Sequence, residues 1–238
     1  MYDTATSRRA LLTGGLLLAA GTAVGATACA PGDDGSTDRS TTSQPNRAES
    51  TVSDPSPTPS GAQRSRVLLA YFSRAGENYY NGGRRKLKIG NTEVIAGMIS
   101  DLIDCDVYRI EAADPYPEGY DATVARNVQE QDADARPEIV NGLESIADYD
   151  TVLLGSPIWN VRAPMIMSTF TDSHDFTGKI ILPFVTYAVS GLAGVDRDYA
   201  AALPRARVGT GLAIRGEEAN RGRSRVEAWL RQTDLLTN

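Results

Sequence analysis

Hydroxyl groups and small residues follow the first apolar segment of the chain, in the pattern of an anion-binding loop. Ser73, Arg74 and Gly76 come directly after that segment, and Asn91 and Thr92 stand where a helix is predicted to begin. Hydroxyls and free backbone N–H groups at a helix N-terminus bind phosphate without requiring a lysine. An ordinary turn followed by a helix cap explains the same residues. There is no GxGxxG motif and no Walker spacing, so dinucleotide and P-loop chemistry has no support here.

Two further loops carry groups that suit a flat ligand. Residues 155–160 read Gly-Ser-Pro-Ile-Trp-Asn, and residues 186–191 read Thr-Tyr-Ala-Val-Ser-Gly. Trp159 stands past the end of an apolar run and behind a proline, where it is poorly placed to fill a core. Its flat face suits stacking on a planar ligand. Phosphate donors, an aromatic face and small polar residues at three loops are the combination that a flavin requires.

Apolar runs alternate with amphipathic segments, and this alternation predicts the elements that position the three loops. Strands are predicted at residues 67–72, 105–110, 151–155, 180–187 and 208–214. The first helix is predicted to start from an N-cap at Asn91-Thr92 and to continue to Ile103. Further helices are predicted at residues 120–131, 163–173, 195–203 and 217–231. Five strands, each followed by a helix, predict an α/β fold with one doubly wound parallel sheet. Ligands of such sheets bind beyond the carboxyl ends of the strands.

Composition excludes several classes of protein. The 238 residues include 24 basic and 30 acidic side chains, a net charge of −6 that is not expected of a nucleic-acid-binding domain. Two cysteines exclude a disulfide framework and any multi-cysteine zinc or iron–sulfur site. The single histidine, His174, argues against histidine-based metal sites, so no metal is expected.

The first 65 residues have the pattern of an export signal and a linker. Arg8 and Arg9 precede a mild apolar stretch, as in a twin-arginine signal, and residues 26–28 (Ala-Thr-Ala) fit a cleavage site before Cys29. The same residues resemble a lipobox, which predicts lipidation of Cys29. Plain secretion and an uncleaved membrane anchor are the alternatives. Of the 36 residues 30–65, 21 are Ser, Thr, Pro or Gly, which predicts a disordered linker ahead of a domain at 66–238.

The remaining candidate residues have simpler interpretations. His174 could act as a general base, but no nucleophile motif accompanies it, and a local role at a helix end is favoured. Cys105, at a predicted strand start, is interpreted as a small buried hydrophobic residue. Residues 101–150 carry a net charge of −11 and residues 205–231 a net charge of +4. Such patches steer a charged redox partner or are simply solvated helix faces.

Taken together, the motifs resemble those of a flavodoxin-like family over nearly all of residues 66–236. The matching segments are Tyr71-Phe72-Ser73-Arg74, Asn91-Thr92, Asp114-Pro115-Tyr116-Pro117, Gly155-Ser156-Pro157-Ile158-Trp159, His174-Asp175-Phe176 and Val226-Glu227-Ala228-Trp229-Leu230. The resemblance implies a flavodoxin-like three-layer sandwich. Its five-stranded parallel sheet would have the order 2-1-3-4-5, with helices on both faces.

The resemblance also implies FMN as the cofactor, bound at the three loops. The implied phosphate-binding residues are Ser73, Gly76, Asn91 and Thr92, with Arg74 counted among the cofactor-binding residues. The implied neighbours of the isoalloxazine are Pro157, Ile158, Trp159 and Asn160 on one edge, and Thr186, Tyr187, Ser190 and Gly191 on the other.

Several residues depart from the family pattern. Ala75 replaces a common threonine, residues 77–90 split a motif that is usually contiguous, and Asn160 replaces a frequent second tryptophan. A pair of glycines is replaced at residues 188–189.

The sequence therefore predicts an exported FMN protein, held outside the cytoplasm by Cys29, that transfers electrons or hydride through the flavin. A reductase of quinone-like or other small acceptors is expected, with no residue assigned as catalytic. An electron carrier that docks with a redox protein, and a binding module without flavin, are the alternatives. No nucleic-acid partner is expected.

Overall fold

The computed structural model describes residues 66–237, so the predicted signal peptide and linker lie outside the described residues. Within the described range, no helix combines the length and apolar character that crossing a membrane requires. No cluster of metal-ligating side chains occurs among these same residues.

Eight strands and five α-helices follow one another along the described chain. The strands are β1 (Val67–Phe72), β2 (Gly76–Tyr80), β3 (Gly83–Leu87), β4 (Asp106–Ile110), β5 (Thr151–Pro157), β6 (Ile180–Tyr187), β7 (Arg207–Val208) and β8 (Leu212–Arg215). The helices are α1 (Asn91–Ser100), α2 (Tyr120–Asp132), α3 (Met165–Asp172), α4 (Val195–Ala202) and α5 (Arg223–Gln232). A 3-10 helix, Gly216–Arg221, precedes α5.

The main sheet is parallel, with the order β4-β1-β5-β6, and both β7 and β8 pair with β6. This arrangement confirms the predicted order 2-1-3-4-5. The predicted fifth strand is interrupted, however, between β7 and β8. Gly209 approaches Leu182 so closely that a Cβ would lie 2.6 Å from the leucine side chain. The Thr210 carbonyl turns to accept a 2.8 Å hydrogen bond from the Trp229 indole instead of joining the sheet.

Helices cover both faces of the sheet, as predicted. On one face, α1 and α5 pack against side chains such as Leu69, Leu153 and Phe184. On the other face, α3 and α4 pack against side chains that include Leu68 and Val152. The alternate residues of each buried strand thus supply two separate cores, which is why β1 is apolar throughout and β5 has an apolar run at residues 152–154.

Residues 77–90 do not form a plain loop. Most of the segment belongs to the antiparallel hairpin of β2 and β3, which the sequence analysis did not predict.

The predicted cap at Asn91-Thr92 is also wrong by one residue, because Gly90 occupies the cap position of α1. The predicted closing helix begins as a 3-10 turn and becomes α-helical only at Arg223.

Candidate functional site

The carboxyl ends of β1, β5 and β6 open into one cleft of about 720 Å³, which includes its open mouth. A smaller cavity of about 210 Å³ shares part of its lining. Ten of the thirteen predicted cofactor-binding residues line the cleft or this cavity: Ser73, Arg74, Asn91, Thr92, Pro157, Ile158, Trp159, Asn160, Thr186 and Tyr187. The three separate loops of the sequence are therefore brought together at one edge of the sheet.

The other three predicted residues, Gly76, Ser190 and Gly191, lie outside that lining. Gly76 begins β2 with a φ of +84°, and a Cβ there would lie 2.7 Å from the Glu118 carbonyl oxygen. A glycine is thus required at this position by backbone packing alone. Ser190 and Gly191 belong to the turn after β6, and their contact with a cofactor stays a prediction.

The small cavity lies where the loop after β1 meets the start of α1. Gly90 packs so tightly against this loop that a Cβ would lie 2.2 Å from Ser73 Oγ. Ser73 Oγ accepts a 3.1 Å hydrogen bond from the Glu93 backbone N–H and so satisfies one of the free donors of α1. The hairpin insertion therefore leaves the two halves of the predicted phosphate motif in contact.

Two threonine hydroxyls meet in the lining of this cavity. Thr92 Oγ1 lies 2.8 Å from Thr186 Oγ1, and the two residues are 1% and 4% exposed. The bond joins the first and third predicted loops. It uses only one of the two hydroxyl hydrogens, so the other hydrogen and several acceptor lone pairs remain for a ligand.

Arg74, in the loop after β1, bonds to the hairpin and to the segment before α2. Its Nη1 donates to the carbonyl oxygens of Pro117 at 2.8 Å and Glu118 at 3.0 Å, and its Nη2 donates to the Glu77 carbonyl. Burial lowers the pKa of Arg74, and nearby Glu77 and Glu118 partly offset that effect. Its Nε is buried and has no partner among residues 66–237, although the side chain lines both cavities. One charged donor of a residue that lines the small cavity is thus left without a partner among the described residues.

Trp159 is the indole among the aromatic residues that line the cleft. It packs edge-on against Phe72, with ring centroids 5.5 Å apart, and against Tyr116 at 5.1 Å. The tryptophan is therefore partly packed on the core, which the sequence analysis did not expect. Tyr116 is fixed in turn, because its hydroxyl donates a 2.7 Å hydrogen bond to Glu130. Burial, followed by that bond, raises the pKa of Tyr116 and keeps the phenol protonated.

The loop that carries Trp159 turns back on itself within two residues. The Trp159 N–H donates to the Arg162 carbonyl at 2.9 Å, and Asn160 and Val161 between them have φ values of 48° and 59°. A left-handed conformation is common for asparagine but strained for a β-branched valine. The turn directs Asn160 Nδ2 to Gln131 Oε1 at 2.7 Å, which ties the loop to α2.

One wall of the cleft was missed by the sequence analysis. We call it the hairpin–α2 wall; it consists of Tyr79 from β2 and Tyr120, Thr123, Val124 and Asn127 from α2. The four helix residues have the spacing i, i+3, i+4 and i+7, so they share one face. In the sequence, that helical spacing was the available signal that these four residues share one face of α2. The signal is weak because the face mixes polar, aromatic and apolar side chains.

The two remaining candidates lie away from the cleft lining. The ring nitrogens of His174 lie 2.8 Å from the Phe170 carbonyl oxygen and 2.9 Å from that of Leu143, in keeping with the local role expected of it. Cys105 packs against the apolar core, and burial raises the pKa of its thiol to about 11. Asp104 and Asp106 add to this shift. The thiol is therefore protonated at neutral pH.

Sequence and structural comparisons agree with this geometry. The sequence profile of a family described as Flavodoxin matches residues 86–233. The chain belongs to the flavodoxin family. No match was found among curated proteins.

Solved structures of similar fold come from several bacteria. A protein of Bacteroides uniformis described as a flavoprotein is 27% identical, with a TM-score of 0.56, and the match covers 70% of this chain and 98% of that one. A protein of Bacteroides eggerthii with the same description is 27% identical, with a TM-score of 0.58 and coverage of 71% and 97%. A flavoprotein of Lactobacillus acidophilus, solved in complex with FMN, is 17% identical, with a TM-score of 0.47 and coverage of 67% and 99%.

Proposed function

We propose that this flavodoxin-family protein binds FMN in the cleft and transfers electrons or hydride through it to a quinone-like or other small acceptor. The observation that carries the proposal is the convergence of three loops at one sheet edge. The phosphate-type corner at Ser73 and Thr92, the indole of Trp159 and the polar edge at Thr186-Tyr187 all line the same space. This is the place where a doubly wound sheet binds its ligand.

The residues of the phosphate corner fit an anionic group. Ser73 and Thr92 bring hydroxyls, and the free N–H groups of the first turn of α1 favour negative charge. The unpartnered Nε of Arg74 adds a buried cationic donor beside the same cavity. Burial of such a donor without an acceptor is unfavourable, and a phosphate oxygen would relieve it.

The chain itself contributes binding, orientation and shelter from water. Among residues 66–237, those that line the cleft include no carboxylate, imidazole, thiol or lysine side chain, so we assign no acid or base to the reaction. FMN, when bound, supplies the capacity to accept electrons from one partner and pass them to another. Trp159 and Tyr187 would hold its flat ring system, while the loop bond between Asn160 and Gln131 fixes the tryptophan loop against α2.

The absorbance spectrum of the purified full-length protein tests cofactor binding, together with chromatography of the flavin that denaturation releases. We expect a flavin spectrum and FMN as the released compound. Steady-state turnover of a nicotinamide donor with small quinones then tests the reductase function. Rapid turnover supports the reductase, whereas slow turnover with fast electron exchange to a redox protein indicates an electron carrier. A colourless protein that takes up no FMN would contradict both.

We also propose that the protein works outside the cytoplasm, attached to the membrane through Cys29. The support is the sequence pattern of Arg8, Arg9 and residues 26–29, which lies outside the described residues. A twin-arginine route suits this assignment, because a cytoplasmic cofactor needs a protein that folds around it before crossing.

A further inference from the structure

The hairpin–α2 wall is built from elements other than the three predicted cofactor loops. Its hairpin half is bonded to the start of α2 and to Glu118, which lies two residues before that helix. Arg84 binds Asp121 through two bonds of 2.6 and 2.8 Å, and Lys86 binds Glu118 at 2.7 Å. Glu77 Oε2 accepts a 3.0 Å hydrogen bond from the Tyr120 backbone N–H. The hairpin is therefore held beside α2, with Tyr79 on the cleft side.

The tip of the hairpin is fixed as well. The Asn81 backbone N–H donates a 2.9 Å hydrogen bond to Glu217 Oε1, a carboxylate whose side chain is only 8% exposed. Glu217 follows Gly216, which itself lines the cleft. With anchors at α2 and at the 3-10 helix, the hairpin is a fixed boundary of the cleft.

The chemistry of this wall suits a flat ligand that accepts hydrogen bonds. Tyr79 and Tyr120 present aromatic side chains, and Val124 adds an apolar surface that is 42% exposed. Asn127 is only 2% exposed, and within residues 66–237 its side chain makes a single long bond, in which its Oδ1 accepts from Gln131 Nε2 at 3.5 Å. This carboxamide lines the cleft, and its amide hydrogens have no partner among the described residues, so they are free to donate to a ligand.

The described residues that line the cleft give this wall little to attract an anion. Arg74 is the only charged residue among the described lining residues, and backbone carbonyls occupy both of its terminal nitrogens. Outside the lining, Arg84 and Lys86 of the hairpin are paired with Asp121 and Glu118, so they offer little attraction to an anion in the cleft. The wall can therefore recognise a ligand by stacking and by one amide donor, without ionic attraction.

We propose that the hairpin–α2 wall is the acceptor subsite of this protein, and that it selects a flat, uncharged aromatic molecule with a carbonyl oxygen, as in a neutral quinone. This proposal rests on the proposed function, because a subsite for an acceptor has a use only beside a bound flavin. It goes further by assigning the selection of the acceptor to residues of β2 and α2. Tyr79 provides a stacking surface and Asn127 an amide donor to the carbonyl oxygen.

Calorimetric titration of the FMN-loaded full-length protein with duroquinone, under air and without an electron donor, tests the proposal without relying on turnover. Tyr79→Ala should weaken quinone binding at least fivefold, about 1 kcal/mol, because the aromatic surface on which the ring stacks is removed. Its control is Tyr80→Ala, since Tyr80 is the next residue of the same strand and packs on Arg85 outside the lining.

A second matched pair tests the charge argument at positions exposed enough to tolerate substitution. Val124→Glu places an anion on the wall and should also weaken duroquinone binding at least fivefold. Val128→Glu adds the same charge one turn further along α2, at a residue 37% exposed and outside the lining, and should change binding less than twofold. A sulfonated naphthoquinone should bind the unmodified protein at least fivefold more weakly than its neutral parent.

The outcomes separate this proposal from the proposed function. FMN affinity measured on the same variants should stay within twofold of that of the unmodified protein. The subsite is overturned if all four variants bind duroquinone as tightly as the unmodified protein does. It is also overturned if the unmodified protein binds the sulfonated and the neutral quinone with equal affinity. A loss of FMN binding in Tyr79→Ala assigns the wall to the cofactor and overturns it as well. A protein that never takes up FMN but binds duroquinone at this wall contradicts the proposed function alone.

Discussion

Gly90→Ala is the substitution that most directly perturbs the phosphate corner. Gly90 has φ −69° and ψ 149°, a conformation that alanine adopts without strain, so any effect is steric. The added Cβ would lie 2.2 Å from Ser73 Oγ, 2.6 Å from the Arg74 carbonyl oxygen and 2.8 Å from the Arg74 carbonyl carbon. A serine hydroxyl can rotate away, but the Arg74 backbone cannot. Ordinary contact begins at 3.4 Å, so the loop after β1 must move by about 0.8 Å from α1.

The magnitude follows from two contributions. Overpacking of this kind costs about 1–3 kcal/mol of stability. Loss of the hydrogen bond between Ser73 Oγ and the Glu93 N–H, which acts as a cap for α1, adds about 1 kcal/mol. We expect the free energy of unfolding to fall by about 2–4 kcal/mol. Because the displaced atoms form the phosphate corner, FMN affinity should fall at least tenfold, about 1.4 kcal/mol.

Urea unfolding with and without FMN, together with FMN titration, measures both effects. Gly97→Ala is the control, because Gly97 lies in the same helix, is exposed, and has no atom within 4 Å of a built Cβ. That variant should gain about 0.5–1 kcal/mol of stability and keep its FMN affinity. The reasoning is refuted if Gly90→Ala unfolds at the same urea concentration and binds FMN as the unmodified protein does.

Three further predictions concern other parts of the chain. Trp159→Ala should lower FMN affinity by about 1–3 kcal/mol and partly restore flavin fluorescence, because stacking on the indole is lost; unchanged fluorescence and affinity in a fluorimetric titration would count against it. Because burial raises the pKa of the Cys105 thiol to about 11, folding stability should fall as the pH rises from 9 to 11, and Cys105→Ala should show a flatter stability–pH curve in urea unfolding. Arg8→Lys with Arg9→Lys should block export, and Cys29→Ala should release exported protein from membranes, as cell fractionation would show; membrane retention of the Cys29 variant indicates an uncleaved anchor instead.

The main sheet was predictable because its strands are buried on both faces. β1 is apolar throughout, and β5 and β6 contain apolar runs at residues 152–154 and 180–185. Each run ends at small or polar residues, so both the strand positions and the edge that binds a ligand follow from the sequence. The hairpin was not predictable in the same way. The residues of β3, Gly-Arg-Arg-Lys-Leu, are almost all exposed and have no apolar alternation. Ion pairs with Glu118 and Asp121, more than thirty residues away, hold this strand in place.

The cofactor loops and the hairpin–α2 wall differ for a related reason. Cofactor residues such as Thr186 lie at the carboxyl ends of buried strands or directly after them, so the sheet topology alone brings them together. The side of α2 that lines the cleft depends instead on tertiary bonds, notably those of Gln131 to the Trp159 carbonyl and to Asn160. Tyr120, at the other end of α2, lines the cleft beside a hairpin that the sequence did not predict.

Equilibrium titration of flavin-free protein with FMN and with riboflavin tests the central claim most directly, because the two ligands differ only in the phosphate. The account predicts that FMN binds at least tenfold more tightly, about 1.4 kcal/mol. It also predicts that Ser73→Ala with Thr92→Val removes most of this preference, since each charge-assisted bond contributes about 1.5–3 kcal/mol. Equal affinity of the unmodified protein for riboflavin and FMN would contradict the assignment of the corner at Ser73 and Thr92 to phosphate.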